Sequence, residues 1–219
     1  MKINSTGTTR LFLKLGVILF VFGTVNTSVA DSSSGNNNCE TFARNGDALY
    51  ETGDFAGAGE MYQLCIDAYD LHEEGSAEYA AKSTFMMGEI TRLDYDTLAV
   101  SAENVQQKAL LKGYVEEWYG KSLTYNVDVW FIASCVRAGE LYENFGNAVY
   151  SMEMPASIPE EAIDEFYTQL REQFYEPEIQ KAIDIYVTAV KKAASADINN
   201  EWVDTAVENL ERLAPGEGE

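Results

Sequence analysis

The chain is poor in the residues that most catalytic and metal chemistry requires. Its 219 residues include one histidine, His72, and three cysteines, Cys39, Cys65 and Cys135, with no Cys-x-x-Cys pair. A structural zinc site takes four Cys or His ligands in paired spacing, so that class is excluded and no metal site is expected. A hydrolase with a histidine base has a single candidate, and the surrounding 71-LHEEGS-76 reads as an exposed polar loop without a serine motif. No stretch carries the ligand spacing of an EF-hand. Only Pro155, Pro159, Pro177 and Pro215 interrupt the chain. Strand-like alternation is missing as well, and apolar residues recur three and four apart, so the fold class is expected to be all-α.

Basic residues are scarce: 15 Lys and Arg stand against 36 Asp and Glu. That surplus disfavours nucleic acid and anionic lipid, and it suits basic or neutral partners or loosely held divalent cations. A solvated acidic surface is the simpler reading. Long apolar runs are scarce too. Lys2, Arg10 and Lys14 flank or precede 15-LGVILFVFGTV-25, which is shorter than the roughly 20 residues of a spanning helix. Ser28-Val29-Ala30 then offers the small residues a signal peptidase reads. The layout predicts a signal peptide over 1–30 and export to the periplasm or beyond, with an uncleaved anchor as the alternative. No cysteine follows the apolar run to carry a lipid. Cleavage would remove three of the 15 basic residues and no acid, leaving 12 − 36 = −24 and no membrane span. A flexible polar tail over 31–38, one domain over 39–213 and a disordered tail over 214–219 follow.

Helices are expected near 39–52, 55–70, 76–92, 97–123, 127–151, 160–194 and 200–213. Pro177 lacks an amide donor, so the sixth should break or kink near Tyr175–Pro177. Ser157 and Glu160 are spaced as a capping box, with Pro159 near the first turn. One stretch, 49-LYETGDFAGAGEMYQLC-65, is rich in small residues. A phosphate loop would follow a strand and carry a third glycine or a Gly-Lys-Ser/Thr ending. Neither is present, and a helix precedes it.

The spacing of those small residues carries a different message. A tetratricopeptide repeat is a helix–turn–helix of about 34 residues, large at position 4, small at 8, large at 11, Ala at 20, aromatic at 24 and small at 27. With Gly46 at position 8, Phe42, Leu49, Ala58, Tyr62 and Cys65 fill the others. Gly46 and Ala58 are then expected to face each other where the helices approach closest, with Phe42 and Tyr62 in the wider gaps. Gly53-Asp54-Phe55 forms the turn, with Asp54 capping the next helix. A second unit puts Gly88 at position 8, and Val115, Tyr119 and Ser122 repeat the small–aromatic–small spacing imperfectly. A third has Gly139 and Tyr142, followed after a Pro-bearing insert by Ala182, Tyr186 and Ala189. The last helix, 201-EWVDTAVENLERL-213, reads as a solvating cap.

Residues 39–213 thus resemble the tetratricopeptide-repeat family, which implies antiparallel helix pairs in a solenoid of about three units plus a capping helix. The segments 135-CVRAGELYENFGNAV-149, 155-PASIPEEAIDEFYTQLREQ-173, 178-EIQKAIDIYVTAVKKA-193 and 201-EWVDTAVENL-210 also resemble exported repeat proteins of bacterial envelopes, some of them attached to motility machinery. The resemblance implies a binding groove at positions 2, 5, 9, 12 and 13 of each first helix. These are Glu40, Ala43, Asp47, Tyr50 and Glu51, then Lys82, Phe85, Glu89, Arg92 and Leu93, then Ala133, Val136, Glu140, Glu143 and Asn144. The family's carboxylate clamp needs Lys and Asn at positions 5 and 9, which this chain lacks. Asp47, Glu89 and Glu140 are instead expected to form one acidic line, suited to a basic or neutral segment or to no partner in particular. Positions 1 and 27 of a repeat lie close together, so Cys39 and Cys65 are placed to pair in an oxidising compartment. The bridge would add roughly 3 kcal/mol. The alternative is Cys65 as a small core residue beside a frayed Cys39. Cys135 is expected to be a buried thiol.

The resemblance implies a non-enzymatic scaffold that binds other envelope proteins, with no cofactor. Two other readings stay open. Paired acids, Glu116-Glu117, Glu160-Glu161 or Asp164-Glu165, would serve an enzyme acting on cell-wall glycan if one acid lay in an apolar pocket. By default they are solvated helix faces. A small ligand would instead sit near Trp118, Trp130 and Tyr142.

Overall fold

The computed structural model describes residues 39–72 and 75–214. The expected signal peptide, the polar tail over 31–38 and residues 215–219 lie outside them. The described residues are all-helical, without a strand: α1 (Cys39–Glu51), α2 (Phe55–His72), α3 (Ala77–Thr97), α4 (Val105–Thr124), α5 (Asp128–Tyr150), α6 (Ile163–Leu170), α7 (Glu176–Ala196) and α8 (Glu201–Leu213). No described helix is long and apolar enough to cross a membrane.

Local chemistry sets the helix ends. Gly53 takes φ 81°, a left-handed value that costs an L side chain. Asp54 then caps α2, accepting from the Gly57 N–H at 3.0 Å. The Ser76 and Asn200 side chains cap α3 and α8 in the same way. His72 closes α2 and so belongs to a helix, not to the expected loop. Helix α4 starts later than the periodicity suggests. Asn104 folds the segment before it into a turn, accepting from Ser101 N–H and donating to the Ala99 carbonyl, both at 2.7 Å.

One further expectation holds and another changes. The regular helix is interrupted just before Pro177, where an interruption is expected. The preceding Arg171–Tyr175 widens into a π-helical turn, and the Glu176 N–H reaches back to Arg171 O, so α7 begins with Pro177 in its first turn. A wider turn tolerates the missing donor better than a regular one. The Ser157–Glu160 capping box is not made, because Pro159 occupies the cap position of a short 3-10 turn, Glu160–Ala162, with no side-chain cap. The 3-10 turn 160–162, α6 and the π-helical turn nevertheless run on into α7 with no non-helical residue between them.

Consecutive helices pack on one another, with α5 passing over α6 to lie against α7, and α1, α3, α5 and α8 also touch side by side. The core follows this order. One cluster joins α1 to α2 through Cys39, Ala43, Cys65 and Ala68. A larger one centres on Phe85, Tyr95, Tyr119, Leu141 and Phe145. The third joins Ile132, Val136, Ala182, Tyr186 and Ala206. A disulfide joins Cys39 to Cys65, and Gly75, at φ 98°, packs over it, where a Cβ would meet Cys39 Cβ at 2.8 Å. Cys135 is a buried free thiol, and its burial pushes its pKa up to about 12.

Two lysines are buried by purpose of position. Lys108 Nζ donates to the Tyr95 carbonyl near the C-terminus of α3 and lies 3.6 Å from the Tyr95 ring centroid. The helix dipole and the ring both favour a cation there, while burial lowers the lysine pKa. Lys112 sits between Glu116 at 2.5 Å and Glu178 at 2.9 Å, fastening α7 to α4.

Candidate functional site

Three glycines define the closest approaches between helices. A Cβ on Gly46 would meet Tyr62 Cε1 at 2.6 Å, one on Gly88 would meet Tyr119 Cε1 at 2.5 Å, and one on Gly139 would meet Tyr186 Cε1 at 2.5 Å. In each helix pair the atoms nearest that Cβ belong to the aromatic ring. The expected Gly46–Ala58 contact is therefore corrected. Ala58 is fully buried, but the three atoms nearest a Cβ at Gly46 all belong to the Tyr62 ring. A tyrosine reaches further than the small residue one turn before it.

Each glycine is followed by an acid, and each tyrosine points its hydroxyl that way. Tyr62 Oη donates to Asp47 Oδ1 at 2.9 Å, and Tyr119 Oη donates to Glu89 Oε1 at 2.5 Å. Burial first, and the neighbouring carboxylate next, push both phenols far above their ordinary pKa, so both remain donors. In the third pair the acid is taken elsewhere. Glu140 accepts from Arg92 at 3.1 Å and from Arg137 at 2.8 Å, and the buried Tyr186 hydroxyl has no partner among the described residues.

The acidic line is thus neutralised from within the chain. Asp47 pairs with Lys82 at 2.5 Å, and Glu89 pairs with Arg137 at 3.1 Å. Arg92 bridges Glu140 and Asp96, at 3.1 and 3.4 Å. Burial works against its charge, but Tyr119, Glu140 and Asp96 together raise its pKa. Glu143 accepts two bonds from Arg212 of α8, both 2.7 Å long. These ties run from α1 to α3, from α3 to α5 and from α5 to α8. Their chemical effect is to fix the register of neighbouring helices.

Of the remaining groove residues, Phe85 and Val136 are withdrawn from any surface, at 4% and 0% exposure. The Phe85 ring is closed over by Trp130 and Trp202, with centroids at 5.4 and 5.8 Å. Trp202 arrives from α8, a neighbour distant in sequence, which is why the spacing left Phe85 on the groove. Ala43 and Ala133 are buried as well. Glu40 is held by Arg44 and Tyr79, and Tyr50 packs edge-on against Phe55 at 5.1 Å. Position 13 is the one that stays open: Glu51, Leu93 and Asn144 are all exposed.

Two polar-rimmed clefts lie at one end of these helices. One, of about 670 Å³, is lined by Arg92, Glu140, Glu143, Asn144, Asn209 and Arg212 among others. The other, of about 560 Å³, lies between the 98–104 connection and the segment after α5, and includes Val100, Met152, Met154 and Pro155. Trp118, Trp130 and Tyr142 line neither; the Tyr142 ring instead lies under Lys112 Nζ, 4.5 Å from its centroid. Among the paired acids, Glu116 is engaged with Lys112, and Glu117, Glu160, Glu161, Asp164 and Glu165 are exposed. No group of three or more His, Cys, Asp or Glu is placed to hold a metal ion among the described residues.

The tyrosine series makes a direct test of these contacts. Tyr62→Phe and Tyr119→Phe should each lose about 1.5–3 kcal/mol in urea denaturation, the value of a hydrogen bond to a charged group. Tyr186→Phe should be neutral or stabilising, because it removes a buried hydroxyl that has no partner. Comparison with protein-family models, with curated proteins and with solved structures finds no match for this chain.

Proposed function

We propose that this chain is a non-enzymatic interaction scaffold of the tetratricopeptide-repeat type, exported to the bacterial periplasm or cell envelope, where it holds partner proteins in an assembly such as motility machinery. The observation that carries the reading is the thrice-repeated glycine–tyrosine contact in α1–α2, α3–α4 and α5–α7, made in each case although the connection between the two helices differs in length. The side-by-side contacts of α1, α3, α5 and α8 support a stack of helix pairs with α8 as its cap. The disulfide supports an oxidising compartment. Charge-matched ties within that stack leave the exposed row Glu51, Leu93 and Asn144 as the part of the face that meets a partner. Basic or neutral partner segments suit the chain's formal charge of −21.

A double charge substitution tests this without touching the ion pairs. The Glu51→Arg/Leu93→Arg variant should keep its helical circular dichroism and thermal midpoint, and should recover partners from envelope extract at least tenfold less than the native chain. Equal recovery would remove the proposed face. Turnover of cell-wall glycan by the purified chain would overturn the non-enzymatic reading.

A further inference from the structure

The two clefts are two halves of one trough. They share Ala148, on the last turn of α5, and Ser151, which caps it, as a common wall. Both expose polar and apolar surface in near-equal measure. On one side Val100, Met152, Met154 and Pro155 supply a local apolar patch. Methionine side chains adapt to ligands of differing shape. On the other side Asn144, Asn147 and Asn209 supply amides able both to donate and to accept. The guanidiniums there are already satisfied, Arg92 by Glu140 and Arg212 by Glu143. They offer little to a free anion.

The rim of the half with the apolar patch is acidic. Glu103 and Glu153 both line it, both are exposed, and neither has a basic partner among the described residues. A hydrogen bond with Ser101 holds the Glu103 carboxyl below its usual range. No aromatic ring among the described residues lines either half, which leaves a sugar without a stacking face there. Each half falls within the size range of small-ligand sites.

We propose that this trough binds a short extended peptide segment of a partner protein, in which an apolar side chain flanked by lysine or arginine seats on Val100, Met152 and Met154. The basic flanks face Glu103 and Glu153, and the main chain runs past Ser151 to the Asn144 and Asn147 amides. This deepens the scaffold reading and rests on it, by adding a sequence-selective pocket to the exposed row.

The probe is a fluorescein-labelled Gly-Lys-Leu-Lys-Gly amide, titrated by anisotropy with the full chain in its disulfide form. Saturable binding below 1 mM is expected, on the order of what a small, open site supports. Replacing the peptide Leu by Ser, or both Lys by Glu, should weaken binding at least tenfold. On the protein, Glu103→Lys/Glu153→Lys should do the same, and Ala148→Trp should block both halves. The two glutamates are exposed, so their variant keeps the test valid if Ala148→Trp fails to fold. Absence of saturable binding, equal binding of the Glu-flanked peptide, or displacement by an N-acetylglucosamine tetramer would overturn the proposal. If the peptide fails while Glu51→Arg/Leu93→Arg still abolishes partner recovery, the trough is wrong and the scaffold stands. If the peptide binds while that variant recovers partners normally, the exposed row is wrong and the trough stands.

Discussion

Tyr119→Ala is expected to lower the unfolding free energy by about 3–5 kcal/mol, the cost of emptying a buried aromatic site. It is also expected to reverse the sign of a second substitution. Tyr119 is almost fully buried, packs 5.9 Å from the Phe85 ring centroid and donates to Glu89. Its ring lies where a Cβ on Gly88 would stand, 2.5 Å from Cε1. In the native background Gly88→Ala therefore overpacks the α3–α4 contact and should cost about 1–3 kcal/mol. With the ring removed, the same substitution meets space and brings only the helix preference of alanine, about 1 kcal/mol in its favour. Urea denaturation of the four proteins in this cycle measures the coupling directly. A Gly88→Ala loss of equal size in both backgrounds would show that the glycine serves something other than the tyrosine.

That cycle also marks where the sequence was readable. Residue size within each helix located Gly46, Gly88 and Gly139 and their aromatic counterparts, because close helix approach restricts which side chains fit. Spacing does not say which atoms fill the gap, so Ala58 was given the contact that Tyr62 makes. The same register put Cys39 within reach of Cys65, an arrangement within one helix pair. Contacts between pairs were opaque. Phe85 belongs to the core because Trp130 and Trp202 close over it, and neither is near it in sequence. Asp47, Glu89 and Glu140 looked like a continuous acidic surface because Lys82, Arg137 and Arg92 approach from neighbouring helices. The start of α4 was misread for a local reason: Asn104 competes for backbone groups with its side chain, which hydropathy does not register.

Lys112 gives the second large expected effect. It is 7% exposed and lies between Glu116 and Glu178, over the rings of Tyr142 and Phe145. Lys112→Met should cost about 3–5 kcal/mol, because it leaves a buried carboxylate without its main counter-charge. Glu116 is partly exposed and can turn to water, whereas the Glu178 side chain is 12% exposed and keeps only Lys181, at 2.8 Å. Removing both charges avoids that penalty, since a buried pair can be replaced by apolar residues at little net cost. Lys112→Met/Glu178→Met should accordingly recover most of the loss in urea denaturation. A double variant as unstable as the single one would assign the loss to packing of the lysine stem over Tyr142 and Phe145. Recovery would assign it to charge. In that case a charged pair whose partners lie on either side of the 151–175 insert ties α4 to α7, beside the broad α5–α7 contact that itself holds α7 in place.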